Sequence, residues 1–410
     1  MRWMLCDTIF CGFLIVDFIL FVVMRQKAKR NHNLPHMELK RHPNYAVVIP
    51  ARDESKVIGG LLKSLQEQTY ELPMEQVFII VETKEDPTVL IAKQYGATVL
   101  YRKHLDLKRK GYALNEGIEQ ILDSGYSFDA YVIFDADNIL DRNFLKEMTR
   151  TVQAGYDIGI GYRNCKNGND SVIAASSSLT FSMINTLGND QKNRESRNMV
   201  ISGTGFYIKG EWIEKWGGYP FHSLTEDYEL TLYATLHNMT VCYNKKVLFY
   251  DEQPTTYQVS KIQRTRWIKG FLTCRRKYGK MLRAAARKKG PNSGSQFVEG
   301  LGITPVLIAV IGFVISLFYQ IYGLLFTEFK TMFLSRLLFS FLFLYLVLFL
   351  FTLLLLWIEK NQINLSWSMK LKTLFYNPVF LCSYVSCALR ALFQKNIGWQ
   401  PIEHHAKEVK

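Results

Sequence analysis

Residues 131–137, Tyr131-Val132-Ile133-Phe134-Asp135-Ala136-Asp137, decide how the rest of this chain is read. Four apolar residues run without alternation into two carboxylates one position apart. An uninterrupted apolar run of that length is the pattern of a strand buried on both faces, which belongs to parallel sheets. Upstream, residues 45–49, 77–81 and 98–101 repeat it, and residues 57–68, 87–95 and 111–122 carry helical periodicity between them. Strands alternating with helices predict a doubly wound α/β domain, whose ligands sit beyond the carboxyl ends of the strands. Those ends are polar: Pro50-Ala51-Arg52-Asp53-Glu54 follows the first strand, Glu82-Thr83-Lys84-Glu85-Asp86-Pro87-Thr88 the second, and Asp135-Ala136-Asp137 the fourth. There is no GxGxxG and no Walker A sequence, so neither a dinucleotide fold nor a P-loop ATPase is indicated.

Outside this region the chain turns apolar. Its 410 residues are 48% hydrophobic, enough for one substantial core and several membrane spans. With 14% aromatic residues, no low-complexity tract and no internal repeat, the chain is not of the disordered class. Residues 3–24 are apolar except for Asp7 and Asp17, and Arg25, Lys27, Lys29 and Arg30 follow at once. Residues 301–327 and 337–358 carry no charge. Each run exceeds the roughly 18 residues that cross a bilayer. The basic cluster after the first run, the reverse of a signal peptide's order, marks an anchor with its N-terminus outside and residues 25–300 in the cytosol. A fourth stretch, 373–389, is shorter, contains Asn377 and Pro378, and reads as re-entrant or interfacial. The expected organisation is a transmembrane helix at 1–24, a basic linker at 25–44, a catalytic domain at 45–257, a basic interfacial segment at 258–298, a membrane region at 299–394 and a tail at 395–410. This describes a multi-pass protein of the plasma membrane.

The net charge of +14 suggests nucleic acid until it is localised: residues 261–289 hold twelve Lys and Arg and no Asp or Glu. A basic block beside an apolar span suits the anionic lipids of the cytoplasmic leaflet, and no nucleic-acid-binding motif accompanies it. Nucleic acid is therefore not an expected partner. The seven cysteines are scattered and form no CxxC, which indicates neither a disulfide framework nor a zinc site.

Three groups could carry chemistry. Asp135 and Asp137, if the chain stays extended, direct both carboxylates to one side, and two hard oxygen donors suit Mg²⁺ or Mn²⁺ bridging to a diphosphate. Leu224-Thr225-Glu226-Asp227 precedes a helical pattern; Thr225 reads as an N-cap, and one of the acids reads alternatively as a general base. Gln263-Arg264-Thr265-Arg266-Trp267 lies inside the basic block, where arginines meet lipid headgroups or a leaving diphosphate, and tryptophan meets the interface or a sugar face.

Taken in order, these groups resemble the processive members of glycosyltransferase family 2, the cellulose, chitin and hyaluronan synthases, whose spaced aspartates precede a QxxRW motif. Lys110-Gly111-Tyr112-Ala113-Leu114-Asn115, Gly203-Thr204-Gly205, Gly217-Gly218 and Asp251-Glu252-Gln253-Pro254 fit the linking segments, and the resemblance covers residues 45–275. It implies a GT-A fold and an inverting hexosyltransferase. Asp135 and Asp137 would hold the metal, with Asp135, Asp53, Glu82 and Lys110 on the donor. Asp227 would be the catalytic base beside Glu226, with Arg266 at the diphosphate and Gln263 and Trp267 at the acceptor. Glu82 stands where the family has an aspartate after the second strand. The resemblance implies a UDP-sugar donor, UDP-glucose first, and a β-linked product such as a β-glucan. A poly-N-acetylglucosamine or chitin-type polymer, or single transfer to a lipid or short acceptor, is the alternative. Three or four spans are few for a polymer channel, so a homodimer or accessory subunit is an expected partner besides membrane lipids and the growing polysaccharide.

Overall fold

The computed structural model describes residues 42–194, 199–290, 292–301 and 305–394. The expected span at 3–24, nearly all of the linker after it and the tail from 395 lie outside the described residues.

The chain runs β1 (Tyr45–Pro50), α1 (Ile58–Gln66), β2 (Val77–Val81), α2 (Thr88–Gln94), β3 (Thr98–Tyr101), α3 (Lys110–Asp123), β4 (Ala130–Ile133), β5 (Ile139–Leu140), α4 (Phe144–Gln153), β6 (Ile158–Cys165) and α5 (Val172–Met183). A π-helix (Ile184–Asp190) follows, then β7 (Phe206–Lys209), α6 (Gly210–Trp216), α7 (Glu226–Leu236) and β8 (Val241–Asp251). The helical remainder is α8 (Tyr257–Ala286), α9 (Ser293–Leu301), α10 (Pro305–Phe326), α11 (Lys330–Ile358), α12 (Trp367–Cys382) and α13 (Tyr384–Phe393).

The eight strands form one sheet in the order β3-β2-β1-β4-β7-β6-β8-β5. Its first four strands are parallel, with Val47 opposite Val77 on one side and Val132 on the other. The uninterrupted apolar runs are explained by burial of both faces. Val47, Ile49 and Val132 pack with Leu61 and Leu62 of α1, whereas Ala46, Val48 and Ile133 pack with Leu114 and Ile118 of α3. The four strands expected from the sequence are parallel, but the doubly wound expectation does not extend past them: β7 is antiparallel to both β4 and β6, and the sheet is mixed. The chain reaches β7 from the carboxyl edge through Gly203 and Gly205, whose φ angles of 81° and 66° only glycine adopts without strain, and must therefore run back across the sheet.

A second correction concerns the two aspartates. β4 ends at Ile133, and Ala136 and Asp137 lie in a turn closed by Asn138 N–H donating to Asp135 O at 3.2 Å. Asp135 and Asp137 therefore do not alternate along extended chain: Asp135 is partly open and Asp137 buried.

Among the described residues, α11 is the helix long and apolar enough to cross a membrane, at 29 residues. It begins with Lys330 and includes Arg336, so it starts earlier than the charge-free run 337–358. Leu338, Phe341, Leu342 and Leu346 on it are exposed. The expected single stretch 373–389 is broken at Ser383, whose hydroxyl turns back to Phe380 O at 2.6 Å, giving α12 and α13.

Candidate active site

Four strand-edge elements meet at Lys110, the first residue of α3. Its Nζ lies 2.5 Å from Asp135 Oδ1, donates to Gly203 O at 2.7 Å and stands 3.9 Å from Glu226 Oε1. Asp135 is fixed through its backbone, which donates to Thr204 Oγ1 at 2.8 Å. The segment 203–204 thus holds both partners of the Lys110–Asp135 pair. Asp227, at the start of α7, accepts Tyr228 N–H at 2.7 Å, and a Cβ at Gly203 would stand 3.4 Å from its Oδ2. Thr225 is not the capping side chain expected of it. Its hydroxyl faces Cys274 of α8 at 3.8 Å and makes no bond to the helix N-terminus.

Burial sets the charges here. It pushes Glu226 up to about 7, opposed by Lys110 and assisted by Asp227. Burial also raises Asp227, against the Tyr228 N–H bond and the nearby cations Lys110, Arg163 and Arg266. Burial alone would discharge Lys110, but Asp135 and Glu226 outweigh it and hold the ammonium charged.

Sequence reasoning missed a second cation. Arg163, on β6, forms a two-pronged pair with Asp251 at the end of β8, Nε to Oδ2 being 2.7 Å, and donates from Nη1 to Ser202 O at 2.6 Å. Its guanidinium stacks 3.8 Å over the Phe181 ring. Asp251 also takes the Gln253 amide at 2.6 Å; burial raises its carboxyl to about 6, with Arg163 opposing. The one charged residue of the strand Ile158–Cys165 was the available signal, because a charge held inside a sheet requires a partner.

The comparisons with known proteins agree with this geometry. Residues 42–270, more than half of the chain, match the family described as glycosyltransferase like family 2. The chain belongs to that family. A probable glycosyltransferase of Bacillus subtilis, YdaM, is 26% identical over 247 residues, covering 57% of this chain and 56% of its own length. The 4,4'-diaponeurosporenoate glycosyltransferase of Staphylococcus aureus is 38% identical over 72 residues, 17% of this chain and 18% of its own. The chain thus spans about half, or less, of the length of the curated relatives it matches. Among solved structures, the mannosyltransferase PcManGT of Pyrobaculum calidifontis superposes with a TM-score of 0.60 over 96% of this chain and 99% of that one, at 13% identity. The fold is therefore the α/β GT-A type, built on a mixed sheet.

In this family 2 glycosyltransferase the QxxRW residues lie on α8. Gln263, Arg266 and Trp267 are half-buried and, at i, i+3 and i+4, share one side of the helix. Arg266 is near enough to Asp227 to favour its charged form, and Trp267 meets Phe181 edge-on at 5.7 Å. Trp267, Phe181 and the Arg163 guanidinium form one column. Arg264 faces elsewhere. It is fully buried, donates to Ser383 Oγ at 2.7 Å and stacks on Phe380 and Tyr384, tying α8 to the α12–α13 joint. Arg275 pairs with Glu299 at 3.0 Å and Lys277 with Glu229 at 2.5 Å. Part of the basic block thus serves the protein's own packing rather than a lipid surface. Gly270 lets α8 close on the 225–227 segment, since a Cβ there would meet Thr225 Cβ at 2.9 Å.

Asp53 and Glu82 stand apart from this cluster, past the ends of β1 and β2. Asp53 has φ 56° and donates its N–H to Asp86 at 3.0 Å, and Glu82 pairs with Arg52 at 3.3 Å and Arg102 at 3.5 Å. Asp137 accepts Glu252 N–H at 3.0 Å and the Asn138 amide at 3.2 Å, while Lys166 donates to its carbonyl at 2.9 Å. Among the described residues, no group of three or more His, Cys, Asp or Glu is placed to hold a metal. Asp135 keeps a partly exposed carboxylate and both Asp137 oxygens already accept hydrogen bonds, so the pair alone offers a hard divalent cation at most a partial donor set, to be completed by phosphate oxygens and water.

Proposed function

We propose that this chain moves a sugar from a UDP-sugar, UDP-glucose first, to an acceptor hydroxyl with inversion, and extends a β-linked polysaccharide such as a β-glucan. The plasma membrane is its site, with the catalytic domain cytosolic and α10 and α11 among the spans. The observation that carries this reading is the meeting of Lys110–Asp135 with Glu226–Asp227 at Gly203. It sets a cation for a departing diphosphate beside a carboxylate able to take a proton. Asp227 removes the proton from the acceptor hydroxyl, and that oxygen attacks the anomeric carbon opposite the leaving group. The bond to the diphosphate breaks as the new one forms, so an α-linked donor gives a β-linked product. Lys110 and Arg266 receive the charge that develops on the diphosphate. Asp53 and Glu82 hold the nucleoside, and Gln263 and Trp267 hold the acceptor in line.

Asp135 and Asp137 would hold Mg²⁺ or Mn²⁺, which neutralises diphosphate charge when bound. PcManGT, described with GDP-mannose and Mn²⁺, supports a divalent cation for this fold. A second reading, single transfer to a lipid acceptor, draws support from Leu371, Phe375 and Val379. They form an exposed apolar stripe on α12, close to where Arg264 of the QxxRW helix docks.

The deciding experiment incubates purified full chain with UDP-glucose, UDP-N-acetylglucosamine or GDP-mannose, with Mn²⁺, Mg²⁺ or chelator, followed by product sizing and linkage analysis. A metal-dependent β-linked polymer from UDP-glucose is the expected result. A single sugar on a lipid moves the assignment to the second reading, and full activity under chelation removes the metal from the scheme.

A further inference from the structure

The segment Ile184–Asp190 winds as a π-helix, a rare, wide turn that recurs at functional places. Three of its polar side chains reach three different parts of the molecule. Asn185 Nδ2 donates to Arg163 O at 2.8 Å. Asn189 clasps Val200 from both sides, Nδ2 to O at 3.0 Å and Val200 N to Oδ1 at 2.9 Å. The Thr186 hydroxyl donates to Glu359 Oε1, and Glu359 is the residue that follows α11. The other Glu359 oxygen accepts the Tyr162 hydroxyl at 2.6 Å.

The loop after α11 is fastened to the same strand. Asn164 Nδ2 donates to Gln362 O at 2.6 Å, and Leu355, Ile363 and Leu365 pack against Ala175 and Leu179 of α5. On β6 the period of two therefore divides the work. Tyr162 and Asn164 hold the α11 loop, and Arg163 between them faces Asp251 and Ser202. Val200, held by Asn189, leads directly into Ser202, Gly203 and Thr204, which bind Arg163, Lys110 and the Asp135 backbone.

We propose that this π-helix is a junction through which α11 sets the catalytic segment 200–204, with Thr186 and Glu359 as positioning residues for the transfer step. The inference rests on the reading of Lys110 and Asp227 as reaction groups. A displacement of segment 200–204 shifts Asp227, which Gly203 faces, away from the acceptor hydroxyl, while Lys110 keeps its Asp135 partner and the nucleoside end at Asp53 and Glu82 stays in place. The signature is therefore a loss in turnover without loss in donor affinity.

The test uses full-length protein in lipid nanodiscs. Thr186→Val removes the hydroxyl at nearly constant shape, Thr186→Ser retains it, Glu359→Gln is the second variant, and Asp227→Asn is the control. Thr186→Val and Glu359→Gln are each expected to lower kcat about tenfold, with UDP-sugar affinity by calorimetry at the wild-type value and only a modest loss of thermal stability from the unpaired partner, and Thr186→Ser is expected to restore turnover. Wild-type kcat in Thr186→Val and Glu359→Gln, with Asp227→Asn inactive, overturns the junction and leaves the proposed function standing. Equal losses of kcat, affinity and stability in Val and Ser variants alike also overturn it, because the contact is then purely structural. Wild-type turnover in Asp227→Asn instead moves the base to Glu226 and removes the premise about Asp227 on which the junction rests.

Discussion

Lys110 and Arg163 are two partly buried cations flanking Gly203, and they are held in different ways. Lys110 is a compact ammonium shared between Asp135, Gly203 O and, more distantly, Glu226, and its chief partner Asp135 keeps 38% of its side chain exposed. Arg163 is a planar fork matched to Asp251, whose side chain is 3% exposed, and the guanidinium is clamped by Phe181 and Ser202. An ammonium on a flexible stem exchanges partners readily, whereas a stacked, bidentate guanidinium does not. In the proposed mechanism Lys110 is the cation that meets an incoming diphosphate, while Arg163 keeps the surrounding frame in place.

The comparison can be broken experimentally. The largest effect belongs to the group both cations serve: Asp227→Asn should lower transfer by about 10²–10⁴-fold, with donor affinity by calorimetry near wild type. Turnover within a few-fold of the parent would move the base to Glu226. Next, Arg163→Met strands Asp251 in the interior and should cost about 3–5 kcal/mol of stability by urea unfolding, with Arg163→Lys recovering part of it. If Arg163→Met instead unfolds like wild type but no longer binds donor, the division between the two cations is wrong.

Lys110→Met should act the other way, weakening UDP-sugar binding by about 10–100-fold through loss of one charge-assisted bond of about 1.5–3 kcal/mol. Its melting temperature should fall less than that of Arg163→Met, because Asp135 can turn to water. The smallest effect is the pH dependence of stability. Burial lifts the Glu226 carboxyl from 4.5 to about 7, so between those values the folded protein keeps a proton that the unfolded chain releases. Its contribution is full below about 4.5 and is lost as pH rises through about 7, and Asp251 acts in the same direction up to about 6. Urea midpoints should therefore fall from pH 5 to pH 8 by less in Glu226→Gln than in wild type.

The same two residues mark what the sequence could reveal. Lys110 came only through the family resemblance, whereas Asp135 and the 225–227 triplet stood out because they lie just past a strand or at a helix start, where polar residues interrupt apolar runs. β1, β2 and β3 were legible for the same reason. Arg163 and Asp251 were not, because they face each other from β6 and β8, 88 residues apart, and no local pattern announces that pairing. The direction of β7 was hidden too: Phe206-Tyr207-Ile208-Lys209 is as apolar in a parallel strand as in an antiparallel one. The turn at Asp137 depends on Asn138 and Thr204 closing around Asp135, a contact between distant segments. The π-helix at 184–190 has no residue signature to read at all.

The contact between Tyr162 and Glu359 joins positions 197 residues apart. At about 5–20 residues per second of synthesis, roughly 10–40 s pass between the appearance of the two ends. Strands β1 to β5 precede that interval and β7 and β8 are made within it, so the sheet can assemble before α11 exists. Strand β6 then waits with its hydroxyl and amide groups unanswered until the loop after α11 arrives. A ribosome-bound chain stopped before residue 359 would carry Asp135, Glu226, Asp227 and Asp251, yet lack the Tyr162–Glu359 contact and, beyond it, the α12–α13 joint on which Arg264 docks.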